Sequence, residues 1–167
     1  MKKHCRHNNT MSNFDQKADI ANKQGTVVNL ADYPCVSKLR EAASNIMSAP
    51  QPLVGELNHY YDAKKCGIGW HGDAERRLVY GVRLGPGAEN FPLKFQWFVD
   101  HKPLGDEGRC VLQSGDVYIM SAKAVGNDWK TSSVPTLRHA AGKDTCKYAT
   151  TKRKPGEGVH TVKVLYK

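Results

Sequence analysis

The spacing of hydrophobic residues changes near residue 50. Between residues 36 and 47, apolar side chains recur at the spacing of a helix, and Pro34 and Pro50 lie on either side of this segment. After it, apolar and polar residues alternate in short runs, as in strands with one buried face. The predicted strands are residues 53–61, 77–84, 93–99, 117–120, 147–153 and 160–166.

Two of these strands have a clear apolar face. The first face is formed by Leu78, Tyr80, Val82 and Leu84, and the second by Leu93, Phe95, Trp97 and Val99. One helix followed by many short strands with Gly/Pro turns predicts a mainly β fold with a flanking helix, either a sandwich or a barrel.

Length and composition predict one globular domain. A chain of 167 residues with 40% hydrophobic and 25% charged residues can bury a core of its own. Residues 1–24 are polar and weakly patterned, so we interpret them as a basic N-terminal extension, and residues 25–167 as a single domain. No apolar run approaches the roughly 20 residues of a membrane span, and the basic start is not followed by the apolar stretch of a secretory signal. We therefore expect a soluble intracellular protein, cytoplasmic or nuclear.

The net charge of +9 is concentrated at the two ends of the chain. Residues 1–24 contribute +3 and residues 138–167 contribute +6, whereas acids and bases cancel in between. This distribution predicts an anionic partner near the ends. Charge alone does not separate DNA, RNA and acidic protein, and a solvated basic tail remains an alternative.

Two histidines and one aspartate indicate a metal site. His71 and Asp73 form a His-x-Asp pair, and His139 lies far downstream. Because residues i and i+2 of a strand share a face, His71 and Asp73 can bind the same ion. With His139 they make the two-histidine, one-carboxylate set of non-haem Fe(II) enzymes, which leaves open positions for a cosubstrate and oxygen.

The order of motifs resembles the AlkB-like family of Fe(II)/2-oxoglutarate dioxygenases over roughly residues 53–153. An Asn-x-Tyr pair (Asn58, Tyr60) precedes the His-x-Asp pair. A Gly-Asp turn, a strand, an Arg-His-x-x-Gly run at His139 and a basic segment follow. The resemblance implies a double-stranded β-helix, a jelly-roll or cupin-like barrel, with iron held by the three residues above.

The resemblance also implies cosubstrate and substrate residues. Asn58 and Tyr60 would help to hold 2-oxoglutarate, and cations on a late strand would pair with its carboxylates. Arg153 matches one family arginine, Lys147 replaces the other, and Lys163 is a further candidate. The remaining candidates contact substrate and are Glu75, Trp70 and Arg76. Glu75 has an equally good interpretation as an exposed carboxylate paired with Arg76 or Arg77, and Trp70 as a packing residue.

The implied reaction consumes 2-oxoglutarate and molecular oxygen and hydroxylates a C–H bond. With an N-methylated base the product loses formaldehyde, so the first hypothesis is oxidative demethylation of alkylated DNA or RNA by a monomer, as in DNA repair. The target base would have to leave the stack or be single-stranded. A short N-terminal region supports a second hypothesis, an oxygenase acting on a protein or small molecule, with residues 124–135 covering the site. The third is a basic β-fold protein that binds nucleic acid without catalysis.

Overall fold

The computed structural model describes residues 6–49, 53–143 and 159–166, and for residues 159, 160, 164 and 166 it describes the backbone alone. In this part of the chain the fold is mainly β, with two sheets and few helices. The strands are β1 (His7–Ser12), β2 (Val27–Asn29), β3 (Val54–Tyr60), β4 (Gly67–His71), β5 (Leu78–Leu84), β6 (Leu93–Val99), β7 (Lys102–Cys110), β8 (Val117–Met120), β9 (Thr136–Gly142) and β10 (Val159–Tyr166). The α-helices are α1 (Pro34–Ile46) and α2 (Ala122–Val125), and 3-10 turns cover Leu30–Asp32 and Ala88–Asn90.

A six-stranded sheet has the order β2-β1-β3-β10-β5-β8, and a four-stranded sheet has the order β4-β9-β6-β7. All neighbouring strands are antiparallel except β1 and β2. The first and last strands therefore enclose β3, although most of the chain separates them. Residues 7–12, which belong to the predicted N-terminal extension, form an interior strand of the larger sheet.

One hydrophobic core joins the two sheets. Val79 and Leu165 of the larger sheet pack in the same cluster as Leu93 and Ala141 of the smaller one. The opposite face of the larger sheet is covered by α1, whose Ala43 is fully buried beside Tyr80 and Val82. The larger sheet is thus covered on both faces, and its inner face looks towards the smaller sheet.

The predicted helix and five of the six predicted strands are confirmed, with ends that differ by one or two residues. The sixth, residues 147–153, lies outside the described residues. Sequence patterning did not identify β1, β2, β4, β7 and β9, and every residue of β7 is exposed. Among the described residues, no helix combines the length and the apolar character needed to cross a bilayer.

The predicted burial of β6 is wrong in part. Trp97 and Val99 were expected on the buried side, but they are 40% and 37% exposed. Lys94, on the other face, is buried instead, because its ammonium lies 5.4 Å from the centre of the Trp70 ring. An aromatic cover of this kind can bury a lysine stem, and alternation along one strand does not reveal it.

Candidate metal centre

His71, Asp73 and His139 meet where β4 and β9 pair. His71 is the last residue of β4 and lies directly opposite His139 of β9 in the antiparallel register. The centres of the two imidazole rings are 4.3 Å apart. Asp73 follows the end of β4, where its N–H donates to the Val125 carbonyl over 2.9 Å. The predicted trio is therefore together in space, with the carboxylate supplied by a loop rather than by the strand.

The donor atoms have the spacing of a metal site. His71 Nε2 lies 3.7 Å from Asp73 Oδ1, and His139 Nε2 lies 3.8 Å from Asp73 Oδ2. Candidate ligand atoms from all three residues fall within 4.8 Å of one another. Two donors at right angles around an ion, each at about 2.1 Å, would be about 3 Å apart. Modest side-chain adjustment would thus bring the three donors onto one ion.

Burial keeps both imidazoles neutral, which is the form that binds metal. It lowers the pKa of His139 to about 3, helped by repulsion that a protonated His139 would meet from the adjacent His71 and Lys163. Burial also lowers the pKa of His71. Nδ1 of His71 lies 2.8 Å from the Gly69 carbonyl, so a proton on Nδ1 leaves the Nε2 lone pair directed at Asp73.

His139 is the least satisfied polar side chain of the centre. It is 2% exposed, and the Ala124 carbonyl is near the ring, but neither ring nitrogen forms a hydrogen bond of good geometry within the described part of the chain. A buried imidazole without partners is costly. A coordinated cation would satisfy one of its nitrogens.

Two cations hold Asp73 in its ionised form. Arg76 Nη1 donates to Asp73 Oδ2 over 2.8 Å, and the other end of the same guanidinium pairs with Glu56. Although burial opposes ionisation, Lys163 and Arg76 keep the pKa of Asp73 below its ordinary value. Arg76, a predicted substrate residue, is thus placed where it orients the candidate metal ligand.

Asn58 and Tyr60, the predicted cosubstrate pair, lie on the inner face of β3. Asn58 is fully buried, and its amide donates to Glu56 Oε1 over 2.6 Å. The Tyr60 hydroxyl accepts from Arg6 over 3.2 Å, and its ring lies 4.5 Å from that of Phe91. Both side chains therefore border the same inter-sheet space as the ionic cluster around Glu56.

Of the three cations predicted to pair with 2-oxoglutarate, the structure describes one. Arg153 and Lys147 lie outside the described residues. Lys163 is opposite Glu56 in the register between β10 and β3. Burial lowers its pKa, while Asp73 and Glu56 act in the other direction. Lys163 is therefore already compensated by carboxylates of the protein.

A cleft of about 290 Å³ opens beside Asp73, lined by Gly72, Asp73, Ala74, Glu75, Arg76, Trp129 and Lys130. Glu75 is exposed there, so it can meet a ligand. Trp70 is not at this cleft. Its ring packs edge-on to Phe98, 6.0 Å away, on the face of the smaller sheet that points away from the histidines. The loop after α2 supplies Trp129 and Lys130, which belong to the segment 124–135 that the second hypothesis assigns to the cover of the site.

Three further polar residues of the inner face were also missed. Glu56 could have been found, because it lies two residues before Asn58 and so shares its face. Arg83 and Tyr118 carried no comparable signal. Each occurs in a strand dominated by apolar residues, and only the pairing of β5 with β8 and β10 brings them to the inter-sheet space.

No family model matches this chain. It is 41% identical over 142 residues to an uncharacterized protein of Acanthamoeba polyphaga mimivirus. The match covers 85% of this chain and 54% of the relative, so the chain spans about half the length of the protein it resembles.

Proposed function

We propose that this protein is an Fe(II)/2-oxoglutarate-dependent dioxygenase of AlkB type that demethylates alkylated nucleic-acid bases. The convergence of His71, Asp73 and His139, contributed by a strand end, a loop and a neighbouring strand, carries the proposal. Two imidazoles and one carboxylate are the donor set that suits Fe(II) with open coordination positions. The unsatisfied nitrogens of His139 favour a resident cation over a purely structural cluster.

The finer architecture belongs to the same proposal. The two sheets that share a core are, in this interpretation, the halves of a double-stranded β-helix. His71 and His139 then lie near its mouth, where a bulge follows Ile68 in the pairing of β4 with β9. Such positions at barrel rims favour ligand sites, because bulges re-aim side chains there.

In the proposed enzyme, bound iron and 2-oxoglutarate supply the oxidising chemistry that hydroxylates a substrate C–H bond. The chain's own residues have simpler tasks. His71, Asp73 and His139 fix the ion, and Arg76 orients the Asp73 carboxylate. Asn58 and Tyr60 border the cosubstrate space, and the cleft beside Glu75 admits the substrate. The basic ends attract the phosphate backbone of nucleic acid.

The first experiment tests the metal and the cosubstrate without turnover. Under anaerobic conditions, Fe(II) and 2-oxoglutarate should give a visible charge-transfer band with the parent protein. The band should disappear in Asp73→Ala and His139→Ala, because each removes one donor. His101→Ala and Asp106→Ala remove exposed residues of the same types and should keep the band. A parent protein that never develops the band would rule out the oxygenase.

The second experiment tests the substrate class. Incubation with Fe(II), 2-oxoglutarate, oxygen and methylated oligonucleotides should release formaldehyde and succinate in equal amounts. Succinate without loss of methyl groups would reject the nucleic-acid substrate and retain the enzyme class. An oxygenase acting on a protein or small molecule would then be favoured, and Trp129 at the cleft makes residues 126–135 the segment to vary first.

A further inference from the structure

Arg83 of β5 is a buried cation without a carboxylate partner among the described residues. It is 1% exposed, and its Nε and Nη1 have no hydrogen-bond partner in the described part of the chain. No carboxylate of that part of the chain forms an ion pair with it. By contrast, Arg76 pairs with both Asp73 and Glu56. A buried guanidinium with two unsatisfied nitrogens and no counterion is unfavourable unless an anion binds to it.

The surroundings of Arg83 have the composition of an anion site. The centre of its guanidinium lies 5.0 Å from the centre of the Phe91 ring, which fixes the plane of the fork. The phenols of Tyr60 and Tyr118 are close enough to influence the pKa of Arg83. Burial raises the pKa of both phenols, so they remain protonated and can donate. A planar fork plus two hydroxyl donors is a good arrangement for binding a carboxylate.

Strand register directs this group of residues to the space between the sheets. Arg83 is opposite Thr161 of β10, and Thr161 is opposite Asn58 of β3. Lys163, two residues along β10, shares this face and is opposite Gly81. The group is therefore in line with the ionic cluster that supports the metal centre.

Tyr118 links Arg83 to the metal centre. Its ring lies over Gly81, where a Cβ atom would be only 2.2 Å from Cζ of the ring, so the glycine leaves room for the ring in this position. The phenol is close enough to feel the charges of both Arg83 and Asp73. Tyr118 therefore lies within electrostatic range of both the guanidinium and the Asp73 carboxylate.

We propose that Arg83, Tyr60 and Tyr118 form a carboxylate subsite that holds the end of a dicarboxylate remote from the metal. The inference rests on the proposed function and adds to it the residue that selects a dicarboxylic 2-oxo acid. It assigns this role to β5, whereas the family pattern places the pairing cations on the strand after the last histidine. Lys163 is a weaker candidate, because Asp73 and Glu56 already compensate its charge.

The test compares two ligands that differ at the remote end. Both 2-oxoglutarate and pyruvate carry the 2-oxo acid that can chelate a metal, but only the first has a second carboxylate. Dissociation constants are measured by calorimetry on protein loaded with Mn(II), which avoids turnover. Arg83→Gln should weaken the binding of 2-oxoglutarate by about tenfold or more, since a charged hydrogen-bonded pair is lost. The affinity for pyruvate should not change. Arg83→Lys should recover part of the loss. Arg109→Gln, at an exposed arginine, is the control and should leave the affinity for both ligands unchanged.

Tyr118→Phe and Tyr60→Phe keep the aromatic rings and remove single hydroxyls, so they test the subsite if Arg83→Gln fails to fold. Each should weaken the binding of 2-oxoglutarate severalfold without affecting the binding of pyruvate. Mn(II) affinity, followed by the paramagnetic signal of the free ion, is measured in parallel. If the parent protein does not bind Mn(II), the proposed function itself is overturned. Normal Mn(II) binding with unchanged 2-oxoglutarate affinity in every variant would overturn only the subsite.

Discussion

At the scale of single residues, the candidate centre is a set of ionisable groups kept in the form that binds a cation. His139 is neutral because it is buried beside other positive charges, and Asp73 is ionised because Arg76 and Lys163 lie close to it. His139 is thus uncharged and Asp73 negative, and metal binding requires both of these states. Protonation of His139 should therefore disturb the fold as well as the site.

The stability of the metal-free protein should fall as the pH drops below 6.5. The pKa of His139 is lowered from 6.5 to about 3, so below pH 6.5 the unfolded chain takes up a proton that the folded protein does not. The free energy of unfolding then decreases by up to about 1.4 kcal/mol per pH unit for this residue. Asp73 and Glu56 have ordinary pKa values of 3.8 and 4.5, so their contributions are lost at lower pH.

Urea unfolding in the presence of a chelator, between pH 7 and 5, measures this dependence. His139→Asn should flatten the slope, whereas His101→Asn, at an exposed histidine, should preserve it. An equal slope in the parent protein and His139→Asn would show that the unfolded chain gains no extra proton there.

Arg76 should affect metal affinity without touching the metal. Its guanidinium donates to Asp73 Oδ2 and pairs with Glu56, so it fixes the direction of the carboxylate. Loss of a residue that orients a metal ligand typically lowers metal affinity by roughly 10- to 100-fold. Arg76→Gln should therefore weaken Mn(II) binding by about that factor, measured by titration. The neighbouring exposed Arg77→Gln is the matched control, and equal affinities in both variants would contradict the orienting role.

At the scale of elements, the distance between His71 and Asp73 depends on a loop contact. Gly72 lies against the turn after α2, and a Cβ atom there would be 2.0 Å from the Gly126 carbonyl oxygen and 2.5 Å from the Trp129 ring. Gly126 ends α2 in the left-handed conformation with φ of 73°. The loop that carries Trp129 thus packs directly on the backbone between two candidate ligands.

Gly72→Ala should separate this loop from the metal centre. Overpacking of this kind costs about 1–3 kcal/mol, and metal affinity should fall because Asp73 shifts with the backbone. Gly25→Ala is the control, since nothing lies within 4 Å of the added Cβ atom there. Urea unfolding and Mn(II) titration report the two effects separately. Unchanged stability and unchanged affinity in Gly72→Ala would show that the loop yields without cost.

The contrast between the predicted and the missed residues has a physical basis. His71 and Asp73 could be paired from the sequence because two residues of spacing place side chains on one face. Helix α1 could be predicted because its apolar stripe packs on a sheet. Arg83 could not, since it lies in a strand buried on both faces, where alternation carries little information. Its role emerges only from neighbours on β8 and β10.

At the scale of the whole molecule, strand order brings β1 and β10 to the same part of the larger sheet. β1 and β10 lie on either side of β3 in the larger sheet. Residues 7–12 and 159–166, which belong to the two segments that hold the excess positive charge, are therefore anchored on either side of the same strand. The proposed cosubstrate residues Asn58 and Tyr60 lie on the strand between them. A single polyanion could contact both segments at once.

Single-stranded DNA should therefore bind with an affinity that depends strongly on salt and on the charges of the two ends. The logarithm of the association constant should fall linearly with the logarithm of salt concentration, by about 0.7 for each phosphate neutralised. Replacing Lys2, Lys152 and Lys154 by glutamine should weaken binding and reduce the slope. Replacing Lys38, Lys64 and Lys102, which are exposed in the neutral middle of the chain, removes the same charge and should have a smaller effect. Fluorescence anisotropy of a labelled oligonucleotide measures the affinity of both variants. Equal losses of affinity would mean that net charge, rather than the basic segments at the two ends of the sequence, attracts the nucleic acid.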